Sequence, residues 1–280
     1  MKVHRRRFLK LAGVAATGAL AAAHPLVVQA ADNLPDQPIA YAGTNLDGWA
    51  TCVGDGIYAA PGEAGVSDAD ISTAHFDEYT ELRANVSMRR VEAHNITHQS
   101  VNDPNILAYI HLLEYDFRLP YIPTPEYPDG CNAQTLEGGL GFWDGATTRI
   151  KYGVGFQWGL NPWDRFGELR VWTGVNHQGW LTVGTLTPDT AWHRLRILCD
   201  IVNDTASLSI DGVAYPTMIG KDPAPAGWGS EVAAGPSAEI ISIYPGDSGR
   251  GGLHYSHFRN WVWYWQPALQ NRIFLPAVQR

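Results

Sequence analysis

Leu82, Ala84, Val86 and Met88 alternate with Arg83, Asn85, Ser87 and Arg89. The same period of two recurs along the chain. Tyr109, His111, Leu113, Tyr115, Phe117 and Leu119 alternate with Ile110, Leu112, Glu114, Asp116 and Arg118. Tyr152, Val154, Phe156 and Trp158 alternate with Lys151, Gly153, Gly155 and Gln157, and Leu169 and Val171 with Glu168, Arg170 and Trp172. Further runs of this kind are HRLRILCDIV, ASLSIDG, AEIISIYP and LHYSHFRNWVWYW. Period two between Gly- and Pro-rich turns predicts half-buried antiparallel strands, and many such strands in one chain predict a β-sandwich or barrel. No linker splits the body, so one domain is expected over 31–266, with 267–280 as a short apolar tail.

One stretch departs from ordinary core sequence. GFQWGLNPWDRFGELRVW, residues 155–172, sets three tryptophans and two phenylalanines among a Gln, an Asn, an Asp, a Glu and two arginines. A sugar offers an apolar C–H face to an aromatic plane and its hydroxyls to amides, carboxylates and guanidinium groups. Strand parity sends Trp158 and Phe156 to the core, and the stripe Trp261, Trp263 and Trp265 reads as packing. Trp172 breaks the apolar alternation and is expected to face outward with Glu168 and Arg170. If the strands carrying Glu114, Asp116 and Arg118, then Lys151 and Gln157, then Glu168, Arg170 and Trp172 are neighbours, their polar faces form one concave binding sheet. Trp163, in the loop from Gly159 to Gly167, would rim it. Gly153 and Gly155 would leave room for a ligand against the backbone.

The N-terminal thirty residues read differently. Arg5-Arg6-Arg7-Phe8-Leu9-Lys10 resembles the twin-arginine export motif of bacteria, with His4 where that motif has Ser or Thr. An Ala/Gly/Leu run follows, and Val28-Gln29-Ala30 offers a cleavage site, so 1–30 is read as a signal peptide. The run is too short and too rich in Ala and Gly for a membrane anchor, so no stable insertion is expected after cleavage. The whole chain carries 20 Lys and Arg against 28 Asp and Glu. Five of the basic residues and none of the acids lie in the signal. The remainder holds 15 against 28, a net charge of −13, which disfavours nucleic acid as a partner. Of the three cysteines, Cys52 and Cys131 lie in loop-like sequence and could pair after export, while Cys199 reads as a buried thiol.

Trp192-His193, the turn at Asn203-Asp204 and the strand ending in Asp211-Gly212 resemble the later strands of the concanavalin A-like jelly roll. EYDFRLP and HFRNWVW are similar in kind. The resemblance implies an antiparallel β-sandwich of the jelly-roll type, a fold shared by lectins, laminin G-like modules and several glycanases. Glu114-Tyr115-Asp116-Phe117-Arg118 also looks like the Glu-x-Asp-x-Glu strand of laminarinase-type hydrolases. Arg118 replaces the second glutamate that retaining hydrolysis needs, so Glu114 and Arg118 are expected to form an ion pair. Thr80-Glu81-Leu82-Arg83, Tyr109-Ile110-His111 and Lys151-x-Gly153-x-x-x-Gln157 each resemble part of a jelly-roll polysaccharide lyase strand. That likeness implies Arg83, Lys151 and Gln157 neutralising a uronate and His111 as the base. His111, however, shares the apparent core face with Leu113 and Tyr115.

Jelly-roll proteins also carry structural Ca²⁺, and Asp68 and Asp70 are the candidate ligands here, without an EF-hand pattern. No His-x-x-x-His pair suggests zinc. The expectation is an exported protein that binds a carbohydrate on a concave sheet. A polysaccharide lyase or divergent glycoside hydrolase is the alternative, and a purely structural surface domain the third reading.

Overall fold

The computed structural model describes residues 41–54, 58–86, 89–102, 108–124, 133–143, 152–174, 179–221, 231–241 and 253–267. All of them fall within one unit, Pro35–Arg280. Apart from a 3-10 turn at Asp68–Asp70, their regular structure is entirely β. The first strands are β1 (Tyr41–Gly43), β2 (Ala50–Val53), β3 (Tyr58–Ala59), β4 (Ile71–His75), β5 (Thr80–Asn85) and β6 (Val91–Asn102). Next come β7 (Tyr109–Arg118), β8 (Ala133–Trp143), β9 (Tyr152–Leu160), β10 (Glu168–Gly174) and β11 (Gly179–Thr185). The last are β12 (His193–Asp200), β13 (Thr205–Ile210), β14 (Val213–Tyr215), β15 (Gly220–Lys221), β16 (Glu231–Ile241) and β17 (Leu253–Pro267).

They form two antiparallel sheets. The first runs β14-β13-β12-β7-β17-β5-β4, with β1 also on β17. The second runs β11-β10-β9-β8-β16-β6-β2, with β15 on β9 and β3 on β6. Strands far apart in sequence pair, as in a jelly roll. The inner faces supply the core expected from parity. Leu113, Tyr115 and Phe117 of β7 meet Val154, Phe156 and Trp158 of β9 in one buried cluster. Trp158, Phe156, Trp261 and Trp263 are buried as expected, and Trp265 packs against the cluster half-exposed. A Cβ on Gly138 would lie 1.9 Å from the Tyr115 hydroxyl. A side chain there would therefore collide with the ring that spans the two sheets.

Turn chemistry agrees with the pattern. Asp211 and Gly212 have φ of 53° and 77° and join β13 to β14, with Ile210 opposite Val213. Asp-Gly is suited to this two-residue hairpin because both positions need positive φ. One feature escaped the alternation. Phe258 is core, yet so are Trp261 and Trp263, an odd spacing. The register of β17 against β7 shifts between Arg259 and Val262, and Asn260 has φ of 50°. This β-bulge switches which parity points inward.

The strand assignment also corrects the expected common face. β7 lies in the first sheet, whereas β9 and β10 lie in the second. Since the inner faces of both sheets are core, Glu114, Asp116 and Arg118 point away from Gln157, Arg170 and Trp172. Among the described residues no helix is long and apolar enough to cross a membrane.

Candidate functional site

On the outer face of the first sheet, antiparallel register lines up side chains from β5, β17, β7 and β12. Glu81 is opposite His257, and His257 is opposite Arg118. Phe117 is opposite His193, so Trp192, the residue before β12, continues this row past Arg118. In the next row Arg259 is opposite Asp116, and Asp116 is opposite Arg194. Glu114 faces Arg196 in a third.

The first row is a connected chain of hydrogen bonds. Arg83 Nε donates to Glu81 Oε1 at 2.5 Å, and His257 Nε2 lies 2.7 Å from Glu81 Oε2. Arg118 Nε donates to His257 Nδ1 at 3.1 Å. An imidazole nitrogen that accepts from a guanidinium carries no proton, so Nε2 holds the hydrogen given to Glu81. The contact with Glu81 is thus a hydrogen bond from neutral imidazole. Burial lowers the pKa of His257, Glu81 opposes that, and the charges of Arg118 and Arg83 reinforce it.

The second row is saturated with ion pairs. Arg194 reaches Glu114 Oε2 at 2.7 Å and Asp116 Oδ1 at 2.9 Å. Arg196 pairs with Glu114 at 3.2 Å, and Arg259 with Asp116 at 3.2 Å. Burial works against the charge on Arg194, but its bonds to Glu114 and Asp116 prevail and raise its pKa. Glu114 therefore pairs with Arg194 and Arg196, not with Arg118 as expected. Two-residue spacing put Glu114 and Arg118 on one face, but direct neighbours across the sheet are closer than i, i+4 along a strand.

Rings stand beside this network. Arg118 Cζ lies 4.4 Å and Arg259 Cζ 4.1 Å from the centroid of Trp192. Tyr79 packs on His257 at 4.4 Å and stacks on Phe76 at 4.7 Å, and Phe76 is exposed. Local bonds fix these rings. His193, next to Trp192, is held by Asp211 at 2.7 Å and Asp189 at 3.1 Å. The turn bearing Phe76 and Tyr79 is tied by Asn45 and Thr44 to the carbonyls of Phe76 and Asp77.

The outer face of the second sheet holds the other candidates. Glu137, Gln157 and Arg170 are opposite one another on β8, β9 and β10. Gln157 donates to Glu137, and Arg170 donates to Gln157 Oε1 and to the Trp180 carbonyl. Glu168 accepts from Thr182. Trp172 faces outward, as parity requires, but is only half-exposed. Trp180 packs edge-on at 5.6 Å, and a Cβ on Gly220 would lie 2.2 Å from Trp172 Cδ1. The space above Gly155 is taken by Trp180 and Trp172, and a Cβ on Gly153 would strike the Leu140 carbonyl. Those glycines thus admit the protein's own groups rather than a ligand. Trp163 is half-buried in the turn after β9, and Lys151 lies outside the described residues.

The lyase set does not assemble. Arg83 and Gln157 point outward from opposite sheets, and His111 is fully buried on the core face of β7. The calcium candidates do not fit an ion either. Asp70 binds Arg89 at 2.6 Å and accepts from the Ser67 amide and hydroxyl. Asp68 accepts from the Val53 amide. A guanidinium already stands where a cation would sit, and it lowers the Asp70 pKa through its hydrogen bond. Cys52 is half-buried on β2, Cys131 lies outside the described residues, and Cys199 is buried with its thiol pushed far up by burial.

Sequence reasoning missed Trp192, Tyr79, Glu81 and the triplet Tyr255, His257 and Arg259 as a shared face. The signal for the last was present. His257 and Arg259 alternate with Ser256 and Phe258, and Asn260 marks the switch.

No protein-family model matches the sequence, and no curated protein matches it. Several solved structures share a likeness of fold. A galectin-like protein of unknown function from Bacillus subtilis is 10% identical, over 82% of this chain and 97% of that one, with a TM-score of 0.46. A glycosyl hydrolase family 16 protein from Mycobacterium smegmatis is 13% identical, over 81% and 100%, at 0.43. A seed lectin of Lotus tetragonolobus is 12% identical, over 73% and 96%, at 0.42. Likeness at this level transfers no activity. The two stacked antiparallel sheets themselves define the class: an all-β sandwich of the jelly-roll type.

Proposed function

We propose that this is an exported carbohydrate-binding protein that takes an oligo- or polysaccharide on the outer face of the first sheet. One observation carries the reading. Arg118 is held by His257 and Trp192 beside the rings of Tyr79 and Phe76, and among the described residues no carboxylate pairs with it. Flat rings next to donors with spare capacity suit a sugar's C–H face and its oxygens. On the second sheet the polar groups satisfy one another and Trp172 is covered in part by Trp180, which leaves less for a ligand.

A glycan array and titration with the mature protein test this. Trp192→Ala removes the platform that places two guanidinium groups, and should weaken binding several-fold or more with the fold retained. One ring is worth roughly 1 kcal/mol, by analogy with aromatic pairs. Trp172→Ala should leave affinity nearly unchanged. The reverse pattern would move the site to the second sheet, and no glycan bound at any concentration would end the carbohydrate reading.

A further inference from the structure

The carbohydrate-binding face of the first sheet has a charge character that its fold does not require. The chain as a whole has a net charge of −8. In these rows Arg83, Arg118, Arg194, Arg196 and Arg259 stand with Glu81, Glu114 and Asp116; Asp200 lies further along the same face of β12, and Asp77 and Glu78 are exposed in the turn that carries Phe76 and Tyr79. The three carboxylates of the rows are spoken for: Glu81 by Arg83 and His257, Glu114 by Arg194 and Arg196, Asp116 by Arg194 and Arg259. Asn260 adds a further bond to Asp116 at 2.8 Å.

Arg118 is the arginine left over. Its Nε is committed to His257, which restrains the group and leaves the end-on fork formed by the two Nη nitrogens. Its neighbours are the Trp192 ring, the Tyr79 ring at 5.9 Å and the like charge of Arg259. Burial and that like charge both act against its ionisation, while Tyr79 favours it. A partly buried cation without an anionic partner is costly. A guanidinium fork whose two Nη groups make no hydrogen bond among the described residues matches the two oxygens of a planar or tetrahedral oxyanion.

Resting on the carbohydrate reading, we propose that the glycan carries an oxyanion, a carboxylate or a sulfate ester, and that Arg118 is the group that reads it. The sugar ring lies against the aromatic residues while its anionic substituent bridges the two Nη nitrogens. Arg259, on the same indole, adds long-range attraction but is already paired with Asp116. Arg118 therefore sets the preference, and Arg259 strengthens it.

The test is a glycan array of neutral, uronate-bearing and sulfate-ester-bearing oligosaccharides, followed by titration of the members that bind. Anionic members should bind ten-fold or more tighter than neutral ones of the same length at low salt, and that margin should shrink as salt is added. Arg118→Gln keeps a donor for His257 and removes the charge and the fork, so anionic members should lose at least ten-fold while neutral ones lose clearly less, and the margin should vanish. Arg118→Lys should retain part of it, since the charge remains and the fork is lost. The carboxylate and sulfate arms separate the two sources: whichever loses its margin in Arg118→Gln is the group read. Equal affinity for neutral and anionic members overturns the proposal while leaving the carbohydrate reading in place. So does an equal fall for both classes in Arg118→Gln. If Arg118→Gln does not fold, a full margin in Arg118→Lys at high salt overturns it instead. Failure of every saccharide to bind removes the underlying reading and this inference with it.

Discussion

Burial and two neighbouring arginines keep the His257 imidazole neutral in the folded protein. Its pKa lies below the ordinary value of 6.5, where the unfolded chain takes up its proton. Between those two values the unfolded state binds more protons, so stability rises with pH there. The contribution is complete above about pH 6.5 and is lost as pH falls through the folded value. Urea unfolding across this window should show His257→Gln losing part of the wild-type pH dependence. A difference between wild type and variant that does not vary with pH would mean that folding leaves the His257 pKa unshifted, and one in which wild type loses its advantage as pH rises would mean that His257 is charged when folded. The same residue illustrates what local sequence conceals. His257 is separated from Glu81 by most of the chain, and only the pairing of β17 with β5 makes one the partner of the other. His111, in contrast, was legible as a core residue from its alternation with Leu113 and Tyr115, and it is fully buried.

At the scale of elements, the bulge in β17 decides which face its side chains serve. Before it, Tyr255, His257 and Arg259 look outward; after it, Trp261 and Trp263 look inward. Asn260 holds positive φ and also bonds Asp116. A β-branched residue is poorly suited to that conformation. Asn260→Val should therefore cost about 1–2 kcal/mol for the backbone, with any loss of the bond to Asp116 in addition. Asn260→Gly should cost less, since only the side-chain bond is lost. Chemical denaturation of the two variants measures the difference, and equal costs would remove the conformational explanation. The strands themselves were visible in the alternation, because burial of one sheet face imposes period two wherever it occurs. Their neighbours were not. Glu114, Asp116 and Arg118 read correctly as one face, but nothing in a strand's own residues says which sheet it joins. The supposed common surface with Gln157 and Trp172 was therefore two surfaces.

For the whole molecule, the two outer faces differ in character. The second sheet closes its polar row internally through Glu137, Gln157 and Arg170. On the first, Arg83, Arg194, Arg196 and Arg259 pair with carboxylates, and among the described residues Arg118 pairs with none. A local cation of this kind on an acidic protein is where an anionic ligand would be drawn. The proposed export is tested apart from the fold. Replacing Arg5 and Arg6 by Lys should leave unprocessed precursor in the cytoplasm, measured by fractionation of expressing cells. Normal export of that variant would remove the twin-arginine reading.

The chain's own residues determined that it is an all-β protein, which positions of its regular alternating runs enter the core, and where its Asp-Gly hairpin turns. These follow from short-range rules: alternation tied to burial, and the few residues that tolerate positive φ. The juxtaposition of Glu81, His257, Arg118 and Trp192 was settled by tertiary structure alone. It depends on β5, β17, β7 and β12 pairing in one register across most of the sequence, and on a bulge that reverses parity within β17. The energy of that arrangement lies in contacts between segments, so no single segment records it.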